Sequence, residues 1–283
     1  MADIEIALQG LGRKAQFWLS LDSSQQPDAF LLQHFNNGLC FEPEILWVLL
    51  HVLQEGDTAI DVGANIGFFT LIMSRLVGTH GSVVACEPGT NNLPTLRHHL
   101  ERNQVHNVEI ASRPLWNKPG LIDFYLNADD RSSNALFDPA QWDYNVKAKQ
   151  MPQKLQLDAT TLDEITRSRQ PIKVIKIDTE GAEQRILEGA EVLLRRHCPP
   201  YIIAELNPLG LPQTGCSAET MRDFMRQFGY EMFFIHKTDL IPSLVPRETK
   251  VTYVDGVQVC NVLFSTLADV GAVALLHAAA DSA

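Results

Sequence analysis

The stretch TAIDVGANIGFFTLIM, residues 58–73, constrains the fold more than any other part of the chain. An apolar run from Thr58 to Val62 meets Gly63 and Gly67, and then a segment with Phe69, Ile72, Met73 and Leu76 on one helical face. Strand, glycine turn and helix open a parallel crossover unit, which buries itself only in a sheet covered on both faces. The rhythm repeats. SVVACEP (82–88), VEIASRPL (108–115), IKVIKID (172–178), YIIAEL (201–206), YEMFFIH (230–236), VTYVDG (251–256) and VCNVLFS (259–265) read as strands. Between them, helices are predicted over 91–103, with Pro94 in the first turn, over a segment burying Ile186, Leu187, Ala190, Leu193 and Leu194, and over one with Met221, Phe224, Met225 and Phe228. GLIDFYLN (120–127) alternates like an edge strand or hairpin arm.

This pattern predicts an α/β protein: a mostly parallel, doubly wound, Rossmann-like sheet with helices on both faces. Residues 1–56 are expected to form an accessory, helical N-terminal extension, with a polar loop at 22–28 and a helix from Glu44 to Leu53. The main domain runs over 57–267 and a tail over 268–283. Residues 128–156 break the rhythm, are polar, and carry Trp142 and Tyr144. A loop of that length inside a compact domain is usually functional, and it is read as a lid holding substrate contacts.

Composition removes several function classes. The net charge is −11, and the one basic cluster, Arg195, Arg196 and His197, ends a predicted helix, where cations favour the dipole. No nucleic-acid partner is expected. No apolar run approaches the ~18 residues of a membrane span. The N-terminus lacks the basic and apolar regions of a signal peptide. Cys40, Cys86, Cys198, Cys216 and Cys260 are odd in number and contain no CxxC, which fits reduced thiols and a cytoplasmic location.

Three segments carry chemistry. In DVGANIGFFT (61–70) the glycines let a ligand approach the backbone at a helix N-terminus. Ala64 and Asn65 follow Gly63, so the GxGxxG of a dinucleotide site fails. An acidic residue just before the first glycine would repel a pyrophosphate, whereas it suits the cationic methionine end of S-adenosylmethionine. In CEPG (86–89), Glu87 ends the next strand, where a carboxylate can accept both ribose hydroxyls. Asn91 and Asn92 follow and could cap the next helix or touch the ligand, with capping the favoured role. In KIDTEGAE (176–183), Asp178 closes a central strand, and Glu180 and Glu183 are expected in the first turn of the next helix.

DVGANIGFFT, CEP and KIDTEGAE, in this order and spacing, resemble the FkbM family of class I methyltransferases. LCFEPEI (39–45), ELN (205–207) and NVLF (261–264) fit too, so the resemblance covers about residues 39–265. The 128–156 segment departs from it. The resemblance implies a class I methyltransferase fold and methyl transfer from S-adenosylmethionine, usually to oxygen on sugars, polyketides, lipids or other specialised metabolites. Asp61, Gly63, Asn65, Gly67 and Glu87 would hold the donor, with Ala64, Phe68, Pro88 and Asp178 beside them. Ser112 to Trp116, including Leu115, would flank the adenine. Asp178 and Glu180 would face the acceptor.

The expected chemistry is alignment of an acceptor oxygen and removal of its proton. Asp178 is the first candidate base, Glu205 the second and His236 the third. A variant in which Asp178, Glu180 and Glu205 hold Mg²⁺ stays open. So do transfer to nitrogen on a small amine, a nicotinamide oxidoreductase, a non-catalytic donor-binding subunit and a homodimer.

Overall fold

The computed structural model describes residues 1–10, 12–138, 151–169, 171–196, 199–235, 242–245 and 260–271. The strand expected at 251–256, His197, Cys198, His236, Trp142 and Tyr144 lie outside the described residues.

The organising element is a sheet of eight strands among the described residues, in the order β11-β10-β12-β9-β8-β3-β4-β5. Its parallel half comprises β3 (Thr58–Val62), β4 (Ser82–Cys86), β5 (Val108–Ala111), β8 (Ile172–Ile177) and β9 (Tyr201–Leu206). β10 (Glu231–Ile235), β11 (Pro242–Leu244) and β12 (Cys260–Ser265) extend it antiparallel from β9. Side-chain alternation explains why both faces are covered. Ala59, Val83, Ala85, Val174 and Ile203 join one core with α2 (Pro43–Val52) and α3 (Phe68–Val77). Their neighbours Ile60, Val84, Cys86, Ile175, Ile202 and Ala204 join the opposite core, with Ile186, Leu187, Met221 and Met225 from later helices. The prediction of a mostly parallel, doubly wound sheet is therefore what the chain forms.

Two expectations change. The N-terminal extension is helical only in its second half, where α1 (Asp28–Asn36) precedes α2. Its first half is a hairpin of β1 (Ala2–Gly10) and β2 (Arg13–Leu21), paired in register from Ala2–Leu21 to Gly10–Arg13. Alternating burial at Ala15, Phe17 and Leu19 lays β2 on α3. The 128–156 segment is not loop throughout. β7 (Gln153–Ala159) begins within it and pairs with β6 (Gly120–Leu126), which makes 120–126 a hairpin arm outside the main sheet.

Two polar side chains, His99 buried and Arg13 partly buried, fasten the extension to the sheet helices. His99, on α4 (Leu93–Arg102), donates from Nδ1 to the Ile66 carbonyl at 2.7 Å and accepts the Ser20 N–H at Nε2, 2.9 Å away. Burial lowers its pKa and favours this neutral form. Arg13 donates to the carbonyls of Leu50 (3.1 Å), Leu53 and Leu76 (2.8 Å), capping the ends of α2 and α3 together. Arg13→Met leaves these carbonyls without that donor. It should cost about 2–4 kcal/mol and lower Tm by roughly 5–10 °C in calorimetry.

Candidate active site

A cavity of about 440 Å³ opens at the carboxyl ends of β3, β4, β8 and β9. This is where ligands bind in open α/β sheets. Its floor comes from residues 61–66, 86–88, 176–180 and Glu205, and Phe30, Leu31 and Phe41 form a wall from the N-terminal extension.

The turn after β3 is built from left-handed residues: Gly63 at φ 77°, Asn65 at φ 50° and Gly67 at φ 93°. Gly63 is obligatory for space as well, because a Cβ there would lie 1.8 Å from the Asp178 carbonyl oxygen. The N–H groups of Gly63 and Ala64 both donate to the Cys86 carbonyl, at 2.9 and 3.1 Å. The Asp178 N–H donates to Val62 O at 3.0 Å. Three strand ends thus meet in one rigid junction. Gly67 starts α3 without lining the cavity; its own Cβ would lie 2.6 Å from Leu96 Cδ1.

Glu87 is buried and already engaged. Its Oε2 accepts from Asn65 N (2.7 Å), and its Oε1 accepts from Gly89 N (2.7 Å) and Asn92 Nδ2 (3.3 Å). Burial pushes its pKa up, and these hydrogen bonds oppose that. A carboxylate offers about four acceptor positions, so one, on Oε2, remains. This corrects the expectation that Glu87 is open to two hydroxyls. Asn92 does not cap α4 with its side chain; it spans Glu87 and the Arg131 carbonyl (3.1 Å). Arg131 is itself ion-paired with Asp28 and donates to Thr95 Oγ1 at 2.8 Å.

The opposite side of the cavity gathers carboxylates around one ammonium. Lys176 is buried in β8, with Nζ 3.0 Å from Asp178 Oδ2, 3.9 Å from Asp61 Oδ1 and 5.0 Å above the Phe69 ring. Burial alone would lower its pKa, but Asp178, Asp61 and Glu42 more than reverse this and raise it. Asp61 is raised by burial, against the pull of Lys176 and of the Thr70 hydroxyl, which donates to Oδ2 at 2.5 Å. Glu180, at φ 59°, accepts from Asn207 Nδ2 at 2.7 Å. Burial, then Asp178 and Glu183, push it up to about 8. Burial and Asp178 push Glu42 up to about 7, and Glu205 is driven well above the ordinary range by burial and its acidic neighbours. Glu180 precedes the helix Glu183–Glu188 instead of lying in its first turn. Glu183 folds that turn by accepting from Thr179 N (2.9 Å) and Gly181 N (3.1 Å).

Most of the expected site residues converge here. Asp61, Gly63, Ala64, Asn65, Phe68, Glu87, Pro88, Leu115, Asp178, Glu180 and Glu205 line the cavity. Ser112 and Trp116 do not; Arg113, Pro114 and Leu115 take the place assigned to the whole 112–116 segment. Asp178, Glu180 and Glu205 share the cavity, but among the described residues no group of three His, Cys, Asp or Glu side chains is arranged to hold a metal ion. Glu42 and Lys176 also line the cavity and were not expected there, and Asn92, for which a ligand contact was the lesser expectation, lines it too. Lys176 left a signal: a charged residue inside the apolar strand IKVIKI, on the register of buried positions.

With this geometry in hand, comparison decides the family. A model of the methyltransferase FkbM domain matches residues 61–232. The chain belongs to the FkbM methyltransferase family. This FkbM chain is also similar to "Methyltransferase 1" of Beauveria bassiana (strain ARSEF 2860), at 26% identity over 145 residues. That match covers 47% of the present chain and 57% of the relative, so the chain spans little more than half of that protein's length. Among solved structures, it is similar to a SAM-dependent O-methyltransferase of Thermotoga maritima, at 11% identity and TM-score 0.43, covering 92% of this chain and 77% of that one. It is likewise similar to Aeropyrum pernix fibrillarin with natively bound S-adenosyl-L-methionine, at 12% identity and TM-score 0.40, covering 92% and 82%.

The raised carboxyls set a pH dependence. Unfolded glutamates lose their protons near pH 4.3, whereas folded Glu42 and Glu180 keep theirs to about 7 and 8. The folded state therefore binds more protons in that window, and ligand-free stability should fall as pH rises from about 5 to about 8. Glu180→Gln should flatten this slope in urea titrations; an unchanged slope would mean that Glu180 ionises normally.

Proposed function

We propose that the chain is an S-adenosylmethionine-dependent methyltransferase that methylates a hydroxyl of a small-molecule acceptor. The observation that carries the reading is one cavity with two chemically distinct sides. One side has a bared glycine turn and a hydrogen-bonded glutamate, and the other has a carboxylate paired with a buried lysine. The first side fits the donor. Gly63, Ala64 and Asn65 present their turn to the cavity, Oε2 of Glu87 keeps one acceptor position for a ribose hydroxyl, and Pro88, Pro114 and Leu115 offer apolar contact for an adenine. When bound, the donor supplies a methyl group on a sulfonium centre.

The chain's own residues supply positioning and proton removal. Asp178 is partly exposed to the cavity, and Lys176 engages its Oδ2. No hydrogen bond to Oδ1 occurs among the described residues, so that oxygen can accept the acceptor's hydroxyl proton. Glu205 is the weaker candidate base, because burial and neighbouring carboxylates disfavour its ionised form. Phe30 and Phe41 bound the space on the side of the extension and keep water from it.

The test is incubation with labelled donor and a panel of glycosides, polyketides and lipids. Asp178→Asn should cut turnover about 100- to 10,000-fold, while S-adenosylhomocysteine binding, read by calorimetry, stays within about threefold of the unsubstituted protein. Loss of donor binding in that variant would overturn the role of Asp178. Turnover should also survive chelation by EDTA; its abolition would favour the Mg²⁺ variant.

A further inference from the structure

The side of the cavity around Asp178 holds more acid than proton removal needs. Glu42 arrives from the start of α2, Asp178 and Glu180 from the end of β8, and Glu205 from β9. Asp178 acts on each of the other three. Glu42 feels Asp178, Lys176 and Glu44; Glu180 feels Asp178, Glu183 and Asp130; Glu205 feels Asp178, Glu180, Glu183 and Glu42. Lys176 is already committed to Asp178 and Asp61. Two carboxyl oxygens at the cavity, Oε2 of Glu42 and Oε2 of Glu205, are buried with no hydrogen-bond partner, and Glu205 is only 9% exposed. Oδ1 of Asp61, on the donor side, is likewise without a hydrogen bond.

Buried polar atoms left open in this way are costly unless a ligand completes them. A neutral hydroxyl would satisfy one oxygen but give the carboxyls no counter-charge with which to ionise. A positive group satisfies both, and apolar walls such as Phe41 and Phe69 strengthen its attraction by excluding water.

We propose that Glu42, Asp178, Glu180 and Glu205 form a subsite for one compact monocation, a sulfonium or ammonium group, at the junction of the donor and acceptor spaces. The proposal rests on the methyl-transfer reading above. The carboxyl protons leave to solvent as the cation enters, so binding of the charged group is linked to proton release. Two sources share this chemistry: the charged centre of the donor, and an ammonium group on the acceptor.

Calorimetry on the full chain separates them. Sinefungin carries an ammonium where the donor has its methylsulfonium, and S-adenosylhomocysteine has a neutral thioether there. Cation binding favours ionised carboxyls, so the preference should be present above the raised pKa values of Glu42 and Glu180 and lost below them. The ratio of the two dissociation constants should move in favour of sinefungin by at least about tenfold between about pH 6 and about pH 8.5. Sinefungin should also release protons to buffers of different ionisation enthalpy, where S-adenosylhomocysteine does not. Glu42→Gln and Glu180→Gln lie on different elements, and each should reduce the ratio at the higher pH by about fivefold or more. A sinefungin preference assigns the cation to the donor. Proton release on adding methylammonium to the S-adenosylhomocysteine complex assigns it to the acceptor. If both nucleosides bind with a pH-independent ratio, and methylammonium adds nothing, the subsite is overturned and the donor reading stands. If neither nucleoside binds, both fall.

Discussion

The position that a side chain on residue 63 would occupy is filled by the carbonyl oxygen of Asp178, and the rest of the site depends on that exclusion. It forces the turn after β3 to lie directly on the end of β8, so the backbone of the glycine turn and the residue that carries the Asp178 carboxylate share one close contact. The Cys86 carbonyl, holding the N–H groups of Gly63 and Ala64, brings in β4 and with it Glu87. Beneath this junction Lys176 neutralises Asp178 directly and Asp61 at longer range. A larger residue at 63 would therefore separate the two halves of the cavity before it disturbed any contact with a ligand.

The two halves solve opposite electrostatic problems. Glu87 is made tolerable by donors: two backbone N–H groups and the Asn92 amide. Such a carboxylate is preorganised and needs little rearrangement when a hydroxyl arrives. The Asp178 side has one ammonium for several carboxyls, and burial makes several of them hold protons. Fixed hydrogen-bond donors suit a ligand part that never changes charge. Titratable neighbours suit the place where charge is consumed or a proton is left behind.

Much of this was legible in the sequence because it depends on local rules. Left-handed Gly63 and Gly67 fix the turn, strand ends fix Asp61, Glu87 and Asp178, and short apolar runs mark β8 and β9, which are buried at nearly every position. What stayed hidden depends on distant partners. One local signal was passed over as well: along β1 of the hairpin Ala2–Leu21, Ile4, Ile6 and Leu8 alternate with exposed neighbours, as strand residues do. Asn92 reads as a cap from its position, but Arg131, far along the chain, offers a carbonyl that holds its amide across Glu87. Glu42 sits in a recognisable segment, yet only the tertiary fold brings it beside Asp178.

The hydrogen bonds from Asn261 Nδ2 to Glu42 Oε1 (3.2 Å) and Glu44 Oε1 (3.1 Å) have a consequence for how the molecule assembles. Asn261 lies on β12, which inserts between β9 and the earlier-synthesised β10 and pairs residue 261 with Glu205. A chain emerging from the ribosome can complete the glycine turn and Glu87 from local crossover units. It cannot hold Glu42 in place, or join β10 to the sheet, until residue 261 has appeared. The glycine-turn side is thus a product of early, nearby contacts. The carboxylate side is a late closure between the N-terminal extension and β12, and premature termination before β12 would yield a protein with a formed turn and an unfinished wall.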